Sequence, residues 1–220
     1  MKNSLVVLLV LYFTACALQT NDKSSEKSEK FAFSFSEKYI GLEKNRTFQW
    51  LGIPYAQAPV GSLRWKAPRS LENENDQVKA IEFSNPCPQV ESISIDKKGE
   101  GEFLGSEDCL FLNIFAPKNI SSDKKLPVMF WIHGGGNTSG EAGSYDFSKL
   151  AAAHDLVIVS INYRLGFLGW FYHPSFAATS NDQGDKSGNF GTLDQIMALK
   201  WVRKNIEDFG GDKNLSLIHI

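Results

Sequence analysis

Residues 126–140 read LPVMFWIHGGGNTSG and decide the fold of this chain. The segment 128–132 is apolar and uncharged, which predicts a strand buried on both faces, as in a parallel sheet. His133 and the glycines 134–136 follow it directly. Glycine adopts backbone angles that other residues avoid, and without a Cβ its N–H can approach a ligand closely. This loop suits the binding of a developing negative oxygen, although a tight turn after a strand would also explain it.

Spacing excludes two phosphate-binding motifs at this loop. A dinucleotide-binding fingerprint that starts at Gly134 requires glycine at position 139, where the chain has Ser139. A P-loop over residues 135–140 requires Lys and then Ser or Thr, but Glu141 and Ala142 follow. The loop is therefore not a nucleotide site of either kind.

The composition is that of one α/β domain or a part of a larger one. The chain has 220 residues, of which 42% are hydrophobic and 12% aromatic, enough to build a core. Its formal net charge of -2 provides no basic field, so we expect no nucleic-acid partner. We also expect no cofactor and no metal ion, and the sequence makes no prediction of the oligomeric state.

Residues 1–15 predict an export signal. A single Lys2 precedes the apolar run 5–13, and this run is too short to cross a bilayer. We therefore predict an exported protein, which is either a bacterial cell-envelope lipoprotein or a periplasmic or secreted protein.

The small residues before Cys16 resemble a bacterial lipobox, in which this cysteine would carry the lipid. Phe13 departs from that pattern, which usually has leucine there. Residues 16–30 are mostly polar and predict a flexible tether, so any membrane contact would be through the lipid alone. The alternative is ordinary cleavage near Ala15 or Ala17, followed by a disordered N terminus.

Hydrophobic periodicity predicts antiparallel strands followed by a parallel crossover. A strand, a short helix and a further buried strand in succession imply a right-handed crossover. The predicted strands are 31–35, 47–53, 110–115, 128–132 and 156–161, with a turn at 44–46 and a short helix over 145–153.

The longest predicted helix opens within residues 188–194. Asp194 is predicted in its first turn, where a carboxylate favours the helix dipole, and Gly210 and Gly211 are predicted to end it. Its predicted buried stripe consists of Leu193, Ile196, Met197, Leu199, Val202, Ile206 and Phe209.

Three segments resemble the type-B carboxylesterase and cholinesterase-like family of α/β-hydrolases. They are LGIPYAQAPVGSLRW at 51–65, SEDCLFLNIFAP at 106–117 and WIHGGG at 131–136, and the resemblance covers residues 31–214. It implies an incomplete α/β-hydrolase fold of class α/β. N-terminal antiparallel strands would lead into a mixed, mainly parallel central sheet with flanking helices.

The resemblance implies roles for the residues of the glycine loop. In this family the second and third glycines, Gly135 and Gly136, donate their N–H groups to the oxyanion, together with the residue after the catalytic serine. His133 and Gly134 belong to the same loop, and we interpret His133 as an anchor of the loop rather than as a base.

The chain has three cysteines, and an odd number in an exported protein requires an explanation. The resemblance implies a disulfide between Cys87 and Cys109, which would leave Cys16 for lipidation. The alternative is three unrelated thiols.

The resemblance also implies two structural ion pairs, Arg64 with Glu107 and Arg164 with Asp194. Ordinary solvated charges are the alternative for all four residues. Residues 166–176 are rich in aromatic side chains, which would line a substrate gorge or simply pack together.

The family cleaves carboxylic esters with a serine nucleophile, a histidine base and an acidic partner. The chain has no Gly-X-Ser-X-Gly motif; residues 136–140 come nearest, with serine at the fourth place. His154 and His173 do not match the position of the catalytic histidine. We therefore expect the given polypeptide to be an inactive fragment of a serine carboxylesterase that acts on small-molecule esters. The alternative is a noncatalytic cholinesterase-like binding or adhesion protein, and the intact glycine loop favours the enzyme.

Residues 215–220 read LSLIHI and are predicted to be non-native. The same six residues are encoded by the mosaic-end sequence of a common transposase library adapter. A genuine strand in a truncated homologue is the alternative, because the alternation of the segment fits a strand.

Overall fold

A six-stranded mixed sheet forms the centre of the part of the chain that the structure describes. The computed structural model describes residues 38–73, 76–90, 102–120 and 124–219, with only the backbone for 215–219. The strands are β1 (Tyr39–Ile40), β2 (Leu42–Lys44), β3 (Thr47–Pro54), β4 (Val78–Lys79), β5 (Gln89–Val90), β6 (Phe103–Leu104), β7 (Phe111–Pro117), β8 (Leu126–Ile132), β9 (Val157–Ile161) and β10 (Gly211–His219). The helices are α1 (Ser148–His154), α2 (Gly166–Gly169), α3 (Pro174–Ala178) and α4 (Phe190–Asn205), with 3₁₀ turns at Gly61–Leu63, Ala142–Ser144 and Ile206–Phe209.

The central sheet has the order β10-β8-β9-β7-β3-β2. The pairs β2–β3, β3–β7 and β7–β9 are antiparallel, whereas β8 runs parallel to both β9 and β10. The predicted passage from antiparallel strands into a parallel part is therefore confirmed. Asn45 and Arg46 form the predicted turn between β2 and β3 with φ of 51° and 62°, the left-handed angles that a two-residue hairpin turn requires. The strand predicted over 31–35 lies outside the described residues.

Helices cover both faces of this sheet. All five residues of β9 are buried, which explains why its sequence is continuously apolar. Leu51, Phe115 and Ile158 pack with Ala151 of α1 on one face. The larger cluster on the other face includes Trp201 of α4. The parallel strands therefore end at one edge of a fully covered sheet, and the loops that follow them meet there.

Helix α1 is shorter at its start than the sequence predicted. The predicted helix over 145–153 begins instead at Ser148, and a separate 3₁₀ turn at Ala142–Ser144 precedes it. The carboxylate of Asp146 accepts the N–H of Ser148 at 2.9 Å, which satisfies a donor at the helix start.

The buried face of α4 differs from the predicted stripe. Ile196 is 41% exposed, and Leu193, Met197 and Leu199 are only partly buried. The residues of α4 that are buried are Phe190, Gly191, Asp194, Ala198, Trp201 and Val202. The absence of a side chain at Gly191 allows this buried face to pack closely, because a Cβ there would lie 2.7 Å from the carbonyl oxygen of Arg164. Of the predicted stripe, Val202, Ile206 and Phe209 are buried as expected.

The predicted position of Asp194 in the first helical turn is wrong. The helix starts at Phe190, so Asp194 is its fifth residue, and its first turn contains no acidic residue. Asp194 is fully buried against Arg164 and does not face solvent at the helix start. Gly210 ends the following 3₁₀ turn with φ of 81°, as the sequence predicted, whereas Gly211 begins β10.

Strand β10 contains most of the segment that we predict to be non-native. Its residues Ser216 to His219 pair in parallel with β8, after a register shift that follows Gly211. Within the described ranges, no helix has the length and hydropathy that crossing a bilayer would require.

Candidate functional site

The glycine loop lies at the end of β8, at the edge where the parallel strands finish. Gly134, Gly135 and Gly136 are exposed, and φ is 112° at Gly135 and 61° at Gly136. Among the described residues, no acceptor receives the N–H of any of the three. Ligands of open α/β sheets bind at this edge, so the loop presents free main-chain donors where a substrate would lie.

A network of hydrogen bonds fixes the turn at Gly135. The carbonyl oxygen of Gly135 accepts the N–H of Thr138 at 3.1 Å and that of Ser139 at 3.2 Å, and the hydroxyl of Thr138 donates to it at 3.0 Å. A Cβ on Gly135 would overlap the carbonyl oxygen of Ser139. Space is open around Gly134 and Gly136, where a Cβ would meet no atom within 4 Å. The loop therefore requires glycine most strictly at position 135.

His133 is buried and holds the start of the loop. Its Nδ1 lies 2.8 Å from the carbonyl oxygen of Gly134, and its own carbonyl accepts the hydroxyl of Tyr163 at 2.8 Å. The rings of His133 and Tyr163 stack with centroids 4.4 Å apart. Burial lowers the pKa of His133, although the contact with Gly134 and the charge of Glu141 oppose this. A neutral ring that donates from Nδ1 supports the interpretation of His133 as an anchor.

Gln89 and Gly140 also hold the loop, and sequence reasoning missed both. The side-chain amide of Gln89 bonds both the N–H and the carbonyl oxygen of Gly140. Gly140 has a φ of 115°. A glycine that closes a glycine-rich loop is a signal that could have been followed, whereas a glutamine in a polar loop provides none.

Cys87 and Cys109 form a disulfide, the pair that the family resemblance implies. Both side chains are buried, and the bridge joins the segment before β5 to the segment before β7. Cys16 lies outside the described residues.

Both of the expected ion pairs are present. Arg64 and Glu107 form a bidentate pair at 2.6 and 2.5 Å, with side chains that are partly exposed. Arg164 binds Asp194 through two side-chain contacts of 2.8 and 2.7 Å, and its N–H donates to the same carboxylate at 3.1 Å. Burial raises the pKa of Asp194, and the hydrogen bonds from Arg164 oppose that rise. This second pair fixes α4 to the segment that follows β9.

A second buried carboxylate, Asp185, was not predicted from the sequence. It accepts two bonds from Arg69 at 2.8 and 2.9 Å, one from the hydroxyl of Ser180 at 2.7 Å and one from the N–H of Ala67 at 2.8 Å. Burial alone would raise the pKa of Asp185, but these donors lower it, so the group is charged. The contacts with Arg69 and Ala67 join segments more than 100 residues apart, which no local pattern reveals.

The aromatic residues of 166–176 are divided between packing and exposure. Trp65 packs against Phe171 and Phe176, with ring centroids 5.5 and 5.3 Å apart. Phe167 and Tyr172 are 67% and 61% exposed. The N–H of Gly166 donates to the carbonyl of Asn137 at 2.7 Å, so this segment adjoins the glycine loop.

The carboxylesterase family matches residues 37–218 of the chain, and the chain belongs to that family. It is 46% identical to para-nitrobenzyl esterase of Bacillus subtilis (strain 168) over 178 residues. This aligned region covers 80% of this chain and 34% of that protein. It is 35% identical to liver carboxylesterase B-1 of Rattus norvegicus over 93% of this chain and 37% of the relative. The chain thus spans about a third of the length of these relatives.

Solved structures of the same family share the fold. A PNB esterase superposes with a TM-score of 0.70 at 40% identity, over 87% of this chain and 38% of the other. A carboxylesterase of Geobacillus stearothermophilus superposes with a TM-score of 0.66 at 34% identity, over 82% of this chain and 35% of the other. The described sheet is therefore part of an α/β-hydrolase fold.

Proposed function

We propose that the full-length protein hydrolyses carboxylic esters and that the glycine loop forms part of its oxyanion hole. The observation that carries this proposal is the pair of exposed N–H groups at Gly135 and Gly136, which have no acceptor among the described residues. They lie at the end of a buried strand, in a chain that belongs to the carboxylesterase family. Free donors held in place before the reaction stabilise a tetrahedral intermediate without reorganisation.

The loop would act on the oxygen of the ester carbonyl. As a nucleophile attacks the carbonyl carbon, negative charge develops on that oxygen, and Gly135 and Gly136 would donate to it. His133 would keep the loop in position and would not exchange a proton, because its Nδ1 is engaged with Gly134. Since the sequence has no Gly-X-Ser-X-Gly motif, we propose that the serine, its histidine and the acid come from other residues of the full-length protein, and that the given chain alone is inactive.

Relatives suggest the first substrates to assay. Two matched proteins are named for the compounds on which they act, para-nitrobenzyl esters and pyrethroids. We propose that the full-length protein also takes small-molecule esters. The exposed Phe167 follows Gly166, whose N–H donates to Asn137, and it would suit an apolar group of the ester.

The proposal is tested by expressing the full-length protein and measuring the hydrolysis of para-nitrophenyl acetate and butyrate. A fluorophosphonate probe should label a single serine covalently and abolish the activity. A folded full-length protein that neither hydrolyses these esters nor reacts with the probe would contradict the proposal. That result would favour a noncatalytic binding or adhesion protein.

We further propose that residues 215–220 do not belong to the natural protein. The proposal rests on their identity with the translated adapter and not on their conformation, because residues 216–219 pair with β8 as an ordinary parallel strand. Sequencing the locus from source DNA decides the question. A genomic reading frame that contains LSLIHI at this position would refute the proposal.

A further inference from the structure

We propose that Gln89 is a positioning residue for ester hydrolysis, which clamps Gly140 and thereby holds the glycine loop to the Cys87–Cys109 disulfide. This inference rests on the proposed function, because it assumes that the loop binds the oxyanion. Gln89 acts through the loop and does not itself contact the ester.

The clamp is a two-point contact to one residue. The N–H of Gly140 donates to Oε1 of Gln89 at 2.7 Å, and Nε2 of Gln89 donates to the carbonyl oxygen of Gly140 at 2.9 Å. The same Nε2 donates to the carbonyl oxygen of Cys87 at 3.1 Å. One side-chain amide thus connects the backbone beside the disulfide to the backbone that closes the glycine loop.

The backbone of Gln89 is itself held firmly. It pairs with Leu104 in the short antiparallel ladder of β5 and β6. Two residues earlier, Cys87 is buried and covalently bound to Cys109. The N–H of Ser106 donates to the carbonyl oxygen of Pro86 at 2.9 Å, which fixes the segment from a third side. Gln89 therefore provides a rigid support rather than a mobile one.

Gly140 transmits this support to the residues that precede the oxyanion donors. A Cβ on Gly140 would overlap Nδ1 of His133 and would lie 2.6 Å from the carbonyl oxygen of Gly134. The backbone of Gly140 is thus in direct contact with the anchor of the loop. A shift at Gly140 would move His133 and Gly134 and, with them, the N–H groups of the next two glycines. Displacements of about 1 Å at a catalytic group lower rates by as much as about 100-fold.

Two substitutions separate the clamp from simple packing. Gln89→Leu removes both contacts to Gly140 but keeps much of the side-chain volume. Gln89→Glu keeps the shape and the acceptor, but it removes the donor and places a carboxylate beside two carbonyl oxygens. Gln57→Leu is the matched control, because Gln57 also donates to a backbone carbonyl, that of Ser70 at 2.7 Å, without a contact to the loop.

The experiment compares the three variants with the wild type in the full-length protein. Steady-state kinetics with para-nitrophenyl butyrate should show kcat about tenfold lower for both Gln89 variants, with KM within about twofold of the wild type, since misplaced oxyanion donors weaken the transition state more than substrate binding. Hydrogen exchange of the peptide that covers residues 133–140 should be faster in both. Gln57→Leu should leave both measurements unchanged.

An unchanged kcat in Gln89→Leu, or an equal loss in Gln57→Leu, would overturn the inference. So would exchange at 133–140 that matches the wild type in both Gln89 variants. If the wild type hydrolyses no ester, the proposed function fails. Hydrogen exchange at 133–140 then tests the clamp by itself. Faster exchange in the Gln89 variants supports the clamp, and unchanged exchange refutes it.

Discussion

At the scale of single residues, Gly135 is the position where the candidate oxyanion loop tolerates no side chain. We predict that Gly135→Ala in the full-length protein lowers kcat of the proposed ester hydrolysis about 100- to 1,000-fold, the usual effect of losing one oxyanion donor. The physical reason is the overlap of the new Cβ with the carbonyl oxygen of Ser139, together with a φ of 112°. Steady-state kinetics with para-nitrophenyl butyrate provide the measurement.

The control for this substitution is Gly61→Ala. Gly61 also has a positive φ, of 55°, but its Cβ would meet no atom within 4 Å. It should keep the wild-type kcat and lose only the stability that left-handed backbone costs a residue with a Cβ. Wild-type kcat in a folded Gly135→Ala variant would remove the loop from the mechanism.

The buried imidazole of His133 predicts a pH dependence of stability. Burial lowers its folded pKa below the ordinary value of about 6.5, so folding disfavours the protonated ring. The stability that the neutral ring contributes is present above about pH 6.5 and is lost as the pH falls through the lower folded pKa. Urea unfolding at several pH values below 6.5 should therefore show a smaller loss of stability in His133→Gln than in the wild type.

His154→Gln is the matched control, because His154 is exposed. It removes a histidine without touching the buried ring, so a change of pH dependence that appears in both variants would not come from the burial of His133. Equal pH dependences in the wild type and in His133→Gln would show that the ring titrates alike in the folded and unfolded chains.

At the scale of the elements, the Cys87–Cys109 disulfide connects the loop region around β5 to the start of β7. It spans a sequence separation of 22 residues, for which loop-closure entropy predicts a stabilisation of about 3 kcal/mol. The double variant Cys87→Ser, Cys109→Ser should lose roughly this free energy of unfolding in urea. Peptide mass mapping without reduction should recover the linked peptides from the wild type, and free thiols at both positions would contradict the prediction.

The ion pair of Arg164 and Asp194 joins α4 to the end of β9. Both side chains are at least 97% buried, so removing one charge leaves the other without a partner in the interior. We predict that Asp194→Asn lowers the free energy of unfolding by about 3–5 kcal/mol. Glu107→Gln, in the partly exposed pair with Arg64, is the comparison and should cost much less. Equal losses in the two variants would refute this assignment.

The sequence predicted the existence of the main elements better than their orientation. The strands β7, β8 and β9 are short, mostly apolar runs bounded by turn residues, and a run of this length with such flanks is typical of a buried strand. The face of α4 is different, because Asp194 is buried only through an arginine 30 positions away. A periodicity of apolar residues cannot include a charged residue that becomes internal by pairing.

The candidate site shows the same limit. The glycine loop was identified from consecutive residues, because its backbone requirement is local. Gln89 was missed because its partner, Gly140, is 51 positions away and is contacted only through main-chain atoms. Asp185 was missed because Arg69 and Ala67, its partners in another segment, are more than 100 positions away. Contacts between distant loops depend on the completed sheet, which brings those loops together.

At the scale of the whole molecule, the sheet brings the loops that form the candidate site together at one edge. The loop after β8 provides the glycines, and the segment after β9 provides Tyr163 and Gly166, which contact His133 and Asn137. The carboxyl ends of parallel strands meet at one edge, so these contacts follow from the topology. Matched relatives and solved structures extend well beyond the length of this chain, which covers 34–38% of those quoted above.

The export and lipidation signals predicted at the N terminus can be tested in the whole protein. If Cys16 carries a lipid, labelling of the producing bacterium with radioactive palmitate should mark the wild type but not Cys16→Ser. Both proteins retain the predicted export signal in residues 1–15, and cell fractionation serves as the control. Equal labelling of the two would exclude lipidation at this residue.

The bridge between Cys87 and Cys109 has a consequence for the timing of activity. Disulfides persist in oxidising surroundings and are reduced in the cytosol. Because Gln89 bonds the carbonyl oxygen of Cys87 and also Gly140, a chain without the bridge would have a less rigid support for its glycine loop. If the proposed esterase activity and the predicted export signal are both present in the full-length protein, we expect that activity to be low before export. Export would then be a maturation step, and esters inside the producing cell would not be hydrolysed before the protein is exported.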